Sequence, residues 1–240
     1  MSLRKTVEIF GLKISDISAE ELAGEIKNSI STGTKISITY ATQAVLNKYY
    51  EDKSIRSYYD EFSLVHADGV GVYLASKILY SNKGFSKRLT GSDFYEYLAF
   101  SAELANAKLF LFGDTQQTID KVGSSVGELK IVGKECGFGF DTASVVAKIN
   151  ASEADIAVVG LGSPLQEQWI NENRGAINSP VVIAVGEGIK IFSGTKNRGP
   201  KIVRKIGLEW MIRLITNPKR LWKRYLIGIP LFIYRIIKVK

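Results

Sequence analysis

Histidine and cysteine are almost missing from this 240-residue chain, which holds one of each, His66 and Cys136. A single cysteine excludes an internal disulfide, and one histidine beside one cysteine leaves no cluster of the ligands that hold zinc. There is no D-x-D carboxylate pair to clamp a divalent ion against a diphosphate, so neither a metal site nor a cofactor is expected. Long apolar runs are also lacking: nothing near about 18 consecutive apolar residues occurs, and the N-terminus has no signal-peptide core. A cytoplasmic protein without a membrane span is therefore expected. A Walker A sequence is absent too. The G-x-G triplets beginning at Gly69, Gly137, Gly160 and Gly186 stop short of G-x-G-x-x-G, which disfavours kinase-like and dinucleotide-binding readings.

What is present is ordinary globular material, 45% hydrophobic and 23% charged, with its charge unevenly spread. The net charge is +8, yet residues 196–240 hold 13 Lys or Arg against the single acid Glu209, a net of +12 that leaves the remainder at −4. This divides the chain into a main α/β domain over 1–195 and a basic amphipathic C-terminal appendage over 196–240. An anionic surface is the expected partner of the appendage alone.

Strand and helix patterns alternate along the main domain. Strands are expected at Thr6 to Ile14, Lys35 to Ala41, Phe62 to Val65, Lys108 to Phe112, Leu129 to Val132, Asp155 to Val159 and Pro180 to Val185. Helices are expected from the capping box Ser18-Ala19-Glu20-Glu21 to about Ile30, over Thr42 to Tyr59, from Asp68 through Leu79, from Thr90 through Ala105, over Thr115 to about Val126 and over Thr142 to Asn150. Ser81 to Leu89 reads as a mobile surface loop. The alternation predicts a Rossmann-like, mostly parallel, doubly wound sheet.

In such sheets ligands bind where strands end and helices begin, and four of these corners, together with one further helix start, carry chemistry. Asp68, between an apolar strand and Gly69-Val70-Gly71, is the best candidate for a general base on a substrate hydroxyl, although a plain helix cap would also explain it. Tyr40 and Thr42 sit at a second corner, where Thr42 could equally be a cap. Thr90-Gly91-Ser92-Asp93 opens a helix whose free amides suit a phosphate, and capping alone would account for it. Gly160-Leu161-Gly162-Ser163-Pro164-Leu165-Gln166 leaves room for a bulky anion, while Ser163 and Gln166 also form a capping box. Gly186-Glu187-Gly188 follows the last strand.

In the appendage, Asn217 as cap and Pro218 at the first position start a helix on which Lys219, Arg220, Lys223 and Arg224 fall within an arc of roughly 140 degrees. Leu221, Trp222, Tyr225, Leu226 and Ile229 take the opposite arc. That pattern suits a helix lying in an anionic membrane interface, with docking on the protein's own core as the competing explanation. Pro230 and Arg235 interrupt the apolar run that follows. Nucleic acid is not the expected partner, because apolar side chains interleave the cations on a separate face.

Asp68-Gly69-x-Gly71, Arg88-Leu89-Thr90-Gly91-Ser92-Asp93, Gly160-Leu161-Gly162-x-Pro164-x-Gln166-Glu167-x-Trp169, Gly207-Leu208-Glu209-Trp210 and the tail from Pro218 to Tyr225, taken in this order, resemble the WecG/TagA/CpsF glycosyltransferases (glycosyltransferase family 26) over nearly the whole chain. The resemblance implies a peripheral enzyme at the cytoplasmic face of the bacterial cell membrane. It would move a sugar from a UDP-sugar to a polyprenyl-diphosphate-linked saccharide, with inversion and without a metal, in teichoic acid, capsule or exopolysaccharide synthesis. It further implies Asp68 as base, Gln166 and its loop in the donor pocket, and Arg213, Arg220 and Arg224 toward the acceptor diphosphate or lipid headgroups, with Trp222 beside them at the membrane. Gly69, Arg88, Gly160, Gly162 and Glu187 join the corner residues as candidate substrate contacts.

The sequence departs from the family pattern at Thr39, Tyr40, Thr42, Ala67, Leu165 and around Gly186-Glu187-Gly188-Ile189-Lys190. The donor accordingly stays open among N-acetylmannosamine, glucose or a related hexose, within the same reaction class. A non-catalytic nucleotide-sugar-binding or scaffolding subunit is the alternative reading, and a homo-oligomer is compatible with either.

Overall fold

The computed structural model describes residues 5–196, 200, 203–204 and 207–240. Its strands are β1 (Thr6–Ile9), β2 (Leu12–Ser15), β3 (Ile36–Ala41), β4 (Leu64–Ala67), β5 (Lys108–Gly113), β6 (Ser125–Val126), β7 (Leu129–Glu135), β8 (Ile156–Gly160) and β9 (Val181–Ala184). Among the described residues they form one sheet in the order β1-β2-β4-β3-β9-β8-β5-β7-β6, parallel from β2 to β7 with an antiparallel strand on each edge. The helices are α1 (Ala19–Thr32), α2 (Gln43–Glu51), α3 (Arg56–Asp60), α4 (Val70–Tyr80), α5 (Gly91–Phe100), α6 (Gln116–Asp120), α7 (Thr142–Ala151), α8 (Leu165–Asn173), α9 (Ile189–Phe192), α10 (Glu209–Thr216), α11 (Pro218–Trp222) and α12 (Gly228–Val239).

The inner strands β8 and β9 are buried along their whole length, as a sheet covered on both faces requires. Successive side chains still diverge. Leu109 and Leu111 enter the core that holds Leu22, Ile26 and Leu98, while Phe110 and Phe112 enter the one that holds Leu46, Tyr49 and Trp169.

Several expected elements are shorter or divided, each for a local reason. Thr6 to Ile14 is a hairpin rather than one strand, because Phe10 and Gly11 take positive φ values of 56° and 94° and turn the chain back. The helix expected over Thr42 to Tyr59 breaks at Asp52, whose carboxylate accepts from the Ser54 amide and caps a new turn. The helix expected to reach Val126 stops at Asp120, and Ser125–Val126 pairs back on β7 instead. Ser81 to Leu89 is not a free loop: Phe85 and Leu89 are buried, and a Cβ at Gly84 would lie 2.6 Å from the Ser76 carbonyl oxygen. Asn217 does not cap α11 with its side chain.

The tail lies against the main domain. Phe232 and Ile236 of α12 are buried in the same core as Leu46 and Phe110. Arg235, an interruption in the apolar run, is an internal anchor: it donates to the Asn47 backbone carbonyl and Oδ1 and pairs with Glu51, its guanidinium 4.9 Å from the Tyr50 ring. Asn47 in turn donates to the Gly228 carbonyl at 2.8 Å, next to the π-helical turn Lys223–Ile227 that precedes Pro230. The apolar arc expected from sequence is therefore split, with Leu221 and Tyr225 buried and Trp222 and Leu226 exposed.

Strands β4, β3, β9 and β8 are consecutive neighbours running the same way, with Ala41 level with Ala67 and Ala184 level with Val159. Their carboxyl ends share one edge of the sheet, so the corners after Ala41, Ala67, Gly160 and Ala184 lie side by side.

Candidate active site

Asp68 stands where β4 ends. Its backbone N–H donates to the Ala41 carbonyl, which ties the corner to β3, and its Oδ1 accepts from the Gly91 N–H at 2.8 Å. It does not cap α4, whose N-cap position is taken by Gly69 with φ +97°, a backbone region that glycine enters freely. The carboxylate sits instead at the mouth of α5, where unpaired amides favour a negative group. Asp68 Oδ2 has no hydrogen bond or ion pair among the described residues. His66 behind it is wholly buried between Tyr40 and Phe94, and burial holds its imidazole below the usual value, so it is neutral.

Gln166 does not belong to a capping box. The Ser163 hydroxyl pairs with the Tyr59 hydroxyl, and Gln166 is a buried strut: Oε1 accepts from the Gly186 N–H at 2.9 Å, and Nε2 donates to Glu167 and to the Tyr40 hydroxyl. Three of the four corners are thus held by one amide. Glu167 accepts from Thr39 at 2.8 Å, and burial pushes its carboxyl above the ordinary carboxylate range. Gly160 serves packing, since a Cβ there would lie 2.5 Å from Ile189 and 2.6 Å from the Gly186 carbonyl oxygen.

Two cavities open at this edge. The first, of about 580 Å³, is lined by Tyr40, Thr42, Asp68, Gly91, Ser92, Gly162, Glu187, Arg213, Arg220 and Arg224 among others. The second, of about 340 Å³, shares Thr42, Asp68, Arg213 and Arg224 with it and adds Gly69, Arg88 and Thr90. Asp93, Gly160 and Gln166 line neither cavity, and Trp222 is on the outer surface. Thr42 and Thr90 both cap, bonding the amides of Val45 and Asp93, and Thr90 also donates to Asp93 Oδ2 at 2.7 Å.

The first cavity is rich in cations. Arg220 pairs with Glu187, Arg213 pairs with Glu209, and Arg213 also donates to Ser92 Oγ at 3.1 Å. Lys196 donates to the same oxygen at 2.9 Å. Burial, together with the Arg213 charge, lowers the Lys196 pKa to about 8. Lys196 was indistinguishable in sequence from the other tail cations; only the close passage of the chain over α5 singles it out. Among the described residues no group of three His, Cys, Asp or Glu side chains converges as metal ligands would, and no helix is long and apolar enough to cross a membrane.

The family model for the glycosyl transferase WecG/TagA/CpsF family matches residues 7–240. The chain belongs to this family. Among curated proteins, one from Bacillus spizizenii named N-acetylglucosaminyldiphosphoundecaprenol N-acetyl-beta-D-mannosaminyltransferase is 33% identical over 175 residues, covering 71% of this chain and 66% of that protein. A protein of the same name from Staphylococcus aureus is 26% identical over 240 residues, 98% of this chain and 93% of the relative. As a member of the WecG/TagA/CpsF family the chain is a glycosyltransferase, and the fold gathers the Asp68 and Gly160 corners, which carried the resemblance, at one edge with the two corners that depart from the family pattern.

Proposed function

We propose that this glycosyltransferase moves a hexose, either N-acetylmannosamine, glucose or a close relative, from a UDP-sugar to a saccharide carried on a polyprenyl diphosphate, with inversion at the anomeric carbon. The observation that carries the reading is the meeting of two cavities at Asp68. One is lined by several cations, suited to a nucleotide diphosphate; the other supplies the direction from which an acceptor can approach.

In this reading Asp68 accepts the proton of the acceptor hydroxyl as its oxygen bonds to the sugar's anomeric carbon, and the bond to UDP breaks with its electron pair leaving on the diphosphate. Lys196, Arg213 and Arg220 offset the charge that develops there, in place of a metal ion. The hydrogen bond from Gly91 fixes the carboxylate without occupying Oδ2. Trp222, Leu226, Ile227, Tyr234 and Ile237 are exposed along the tail, and with the surrounding lysines they face the anionic membrane that bears the acceptor.

The test is incubation with a panel of UDP-sugars and a polyprenyl-diphosphate-linked N-acetylglucosamine, following UDP release and the glycolipid product. Asp68→Asn, which keeps an oxygen for the Gly91 amide, should bind UDP normally and lower turnover by roughly 10² to 10⁴. Near-normal turnover would remove Asp68 from the role of base. Absence of UDP release with every donor would favour a nucleotide-sugar-binding subunit instead.

A further inference from the structure

Beneath the first cavity lies a buried polar cluster that the chemistry proposed above does not use. Glu167, wholly buried, accepts through Oε1 from Thr39 and from Gln166 Nε2, each at 2.8 Å. Its Oε2 is buried as well and has no hydrogen-bond partner among the described residues. Hydroxyls surround it: Thr39 and Tyr40 from β3, Tyr59 from α3, Tyr95 from α5 and Ser163 from the turn before α8. Burial favours the protonated carboxyl, so the side chain is held for its hydrogen bonds and not for its charge.

Those hydrogen bonds run in one direction. A backbone N–H can only donate, so the Gln166 atom that meets Gly186 at 2.9 Å is the amide oxygen, and the amide nitrogen has to face the other way. Its two protons go to Glu167 Oε1 and, at 3.3 Å, to the Tyr40 hydroxyl oxygen. An amide turned over would set two donors against each other at Gly186 and two oxygens against each other at Glu167, which a buried site does not tolerate. Tyr40 therefore accepts from Gln166, and its own proton has no acceptor among the described residues. Burial raises the Tyr40 pKa above the usual tyrosine range, so the proton stays on the oxygen. Tyr40 is partly exposed and lines the first cavity, and a Cβ on Gly186 would overlap its hydroxyl oxygen.

We propose that Glu167 is a positioning residue: by fixing which way the Gln166 amide faces, it holds the Tyr40 hydroxyl as a hydrogen-bond donor to an oxygen of the sugar nucleotide in the first cavity. The ligand group it selects is a hydroxyl or phosphate oxygen with a free lone pair; an N–H at that place meets a second donor. The inference rests on the donor assigned to this cavity in the proposed function, and adds the buried group that sets the polarity of its wall.

Titration calorimetry of the full chain with UDP, UDP-glucose and UDP-N-acetylmannosamine tests this without requiring turnover, and the melting temperature of each variant serves as the folding control. Tyr40→Phe should weaken binding about tenfold, the scale of one hydrogen bond. A loss shared by UDP places that bond on the diphosphate, and a loss confined to the UDP-sugars places it on the sugar. Glu167→Gln keeps an oxygen for Thr39 and Gln166 and should bind within about twofold of the unaltered protein. Glu167→Met removes that acceptor and should weaken binding about as much as Tyr40→Phe. Glu167→Asp, which draws the acceptor back by one methylene, should show the same loss in milder form. Tyr40→Phe and Glu167→Met together should bind no more weakly than either alone, because both break one chain of hydrogen bonds. Unchanged affinity in Tyr40→Phe or in a folded Glu167→Met, losses that multiply to about a hundredfold in the double variant, or a tenfold loss in Glu167→Gln would each overturn the inference and leave the donor assignment standing. An unaltered protein that binds neither UDP nor either UDP-sugar would remove the donor assignment and this inference with it.

Discussion

Replacing Lys196 by methionine removes one cation from the first cavity, the proposed donor site, while keeping a side chain of similar length. The Lys196 amine donates to Ser92 Oγ, an oxygen that Arg213 also reaches, so Ser92 keeps a donor and local order should survive. Hydrogen bonds to charged groups contribute about 1.5–3 kcal/mol, which at 1.36 kcal/mol per decade predicts a dissociation constant for UDP-sugar raised roughly 10- to 150-fold. The pH dependence is a sharper test. With a pKa of about 8 in the folded protein against the ordinary 10.5, Lys196 loses its proton as pH rises through about 8, and donor affinity should fall with it. Stability moves the other way. Between those two values the unfolded chain holds more of this proton than the folded one, so this group's contribution to stability rises with pH, and weaker binding there cannot be ascribed to unfolding. Lys196→Arg keeps its charge throughout and should bind evenly from pH 7 to 9. Comparing the two proteins cancels any titration of the nucleotide. Titration calorimetry showing normal binding by Lys196→Met at pH 7, or the same pH profile for wild type and Lys196→Arg, would refute the assignment.

Activity should persist in EDTA, as the first cavity, proposed for the donor, offers cations and among the described residues no set of carboxylates converges; loss restored by Mg²⁺ or Mn²⁺ would reveal a metal requirement. Phe232→Ala should lower stability by about 3–5 kcal/mol in a denaturant titration, because the ring is buried in the core shared by α12 and the sheet. A cost below 1 kcal/mol, on the scale of a surface change, would show that the tail packs loosely. Serine at Trp222, Leu226 and Ile237 should release the protein from anionic vesicles in cosedimentation without altering UDP affinity, and undiminished sedimentation would place the membrane contact elsewhere.

Much of this architecture was legible in the chain. Period-2 and buried apolar runs located the parallel strands, and the capping box at Ser18 and Glu21 forms as its spacing predicts. The corners were visible because an apolar strand followed by glycine and a short polar residue has few other uses. Long-range partners were not. Nothing local says that Asp68 bonds the amide of Gly91, or that Gln166 reaches Gly186 and Tyr40, since those contacts depend on strand order and not on neighbours in sequence. The tail misled for a related reason. Its helical wheel separates cations from apolar residues, yet the π-helical turn at Lys223–Ile227 and the Asn47–Arg235 anchor rotate part of the apolar arc inward, and Arg220 and Arg224 toward the cavities.

The two cavities share Thr42, Asp68, Arg213 and Arg224, and α2 and α12 contribute to both, while only the first is lined by Tyr40, Ser92 and Glu187 and only the second by α4. The first cavity takes walls of its own from the ends of β3 and β9 and the head of α5, and the second from α4. A change at Tyr40 or Glu187 therefore reshapes the first cavity and leaves the α4 wall of the second as it was. On the proposed assignment of the two cavities, the choice of donor can change independently of the side from which the acceptor approaches.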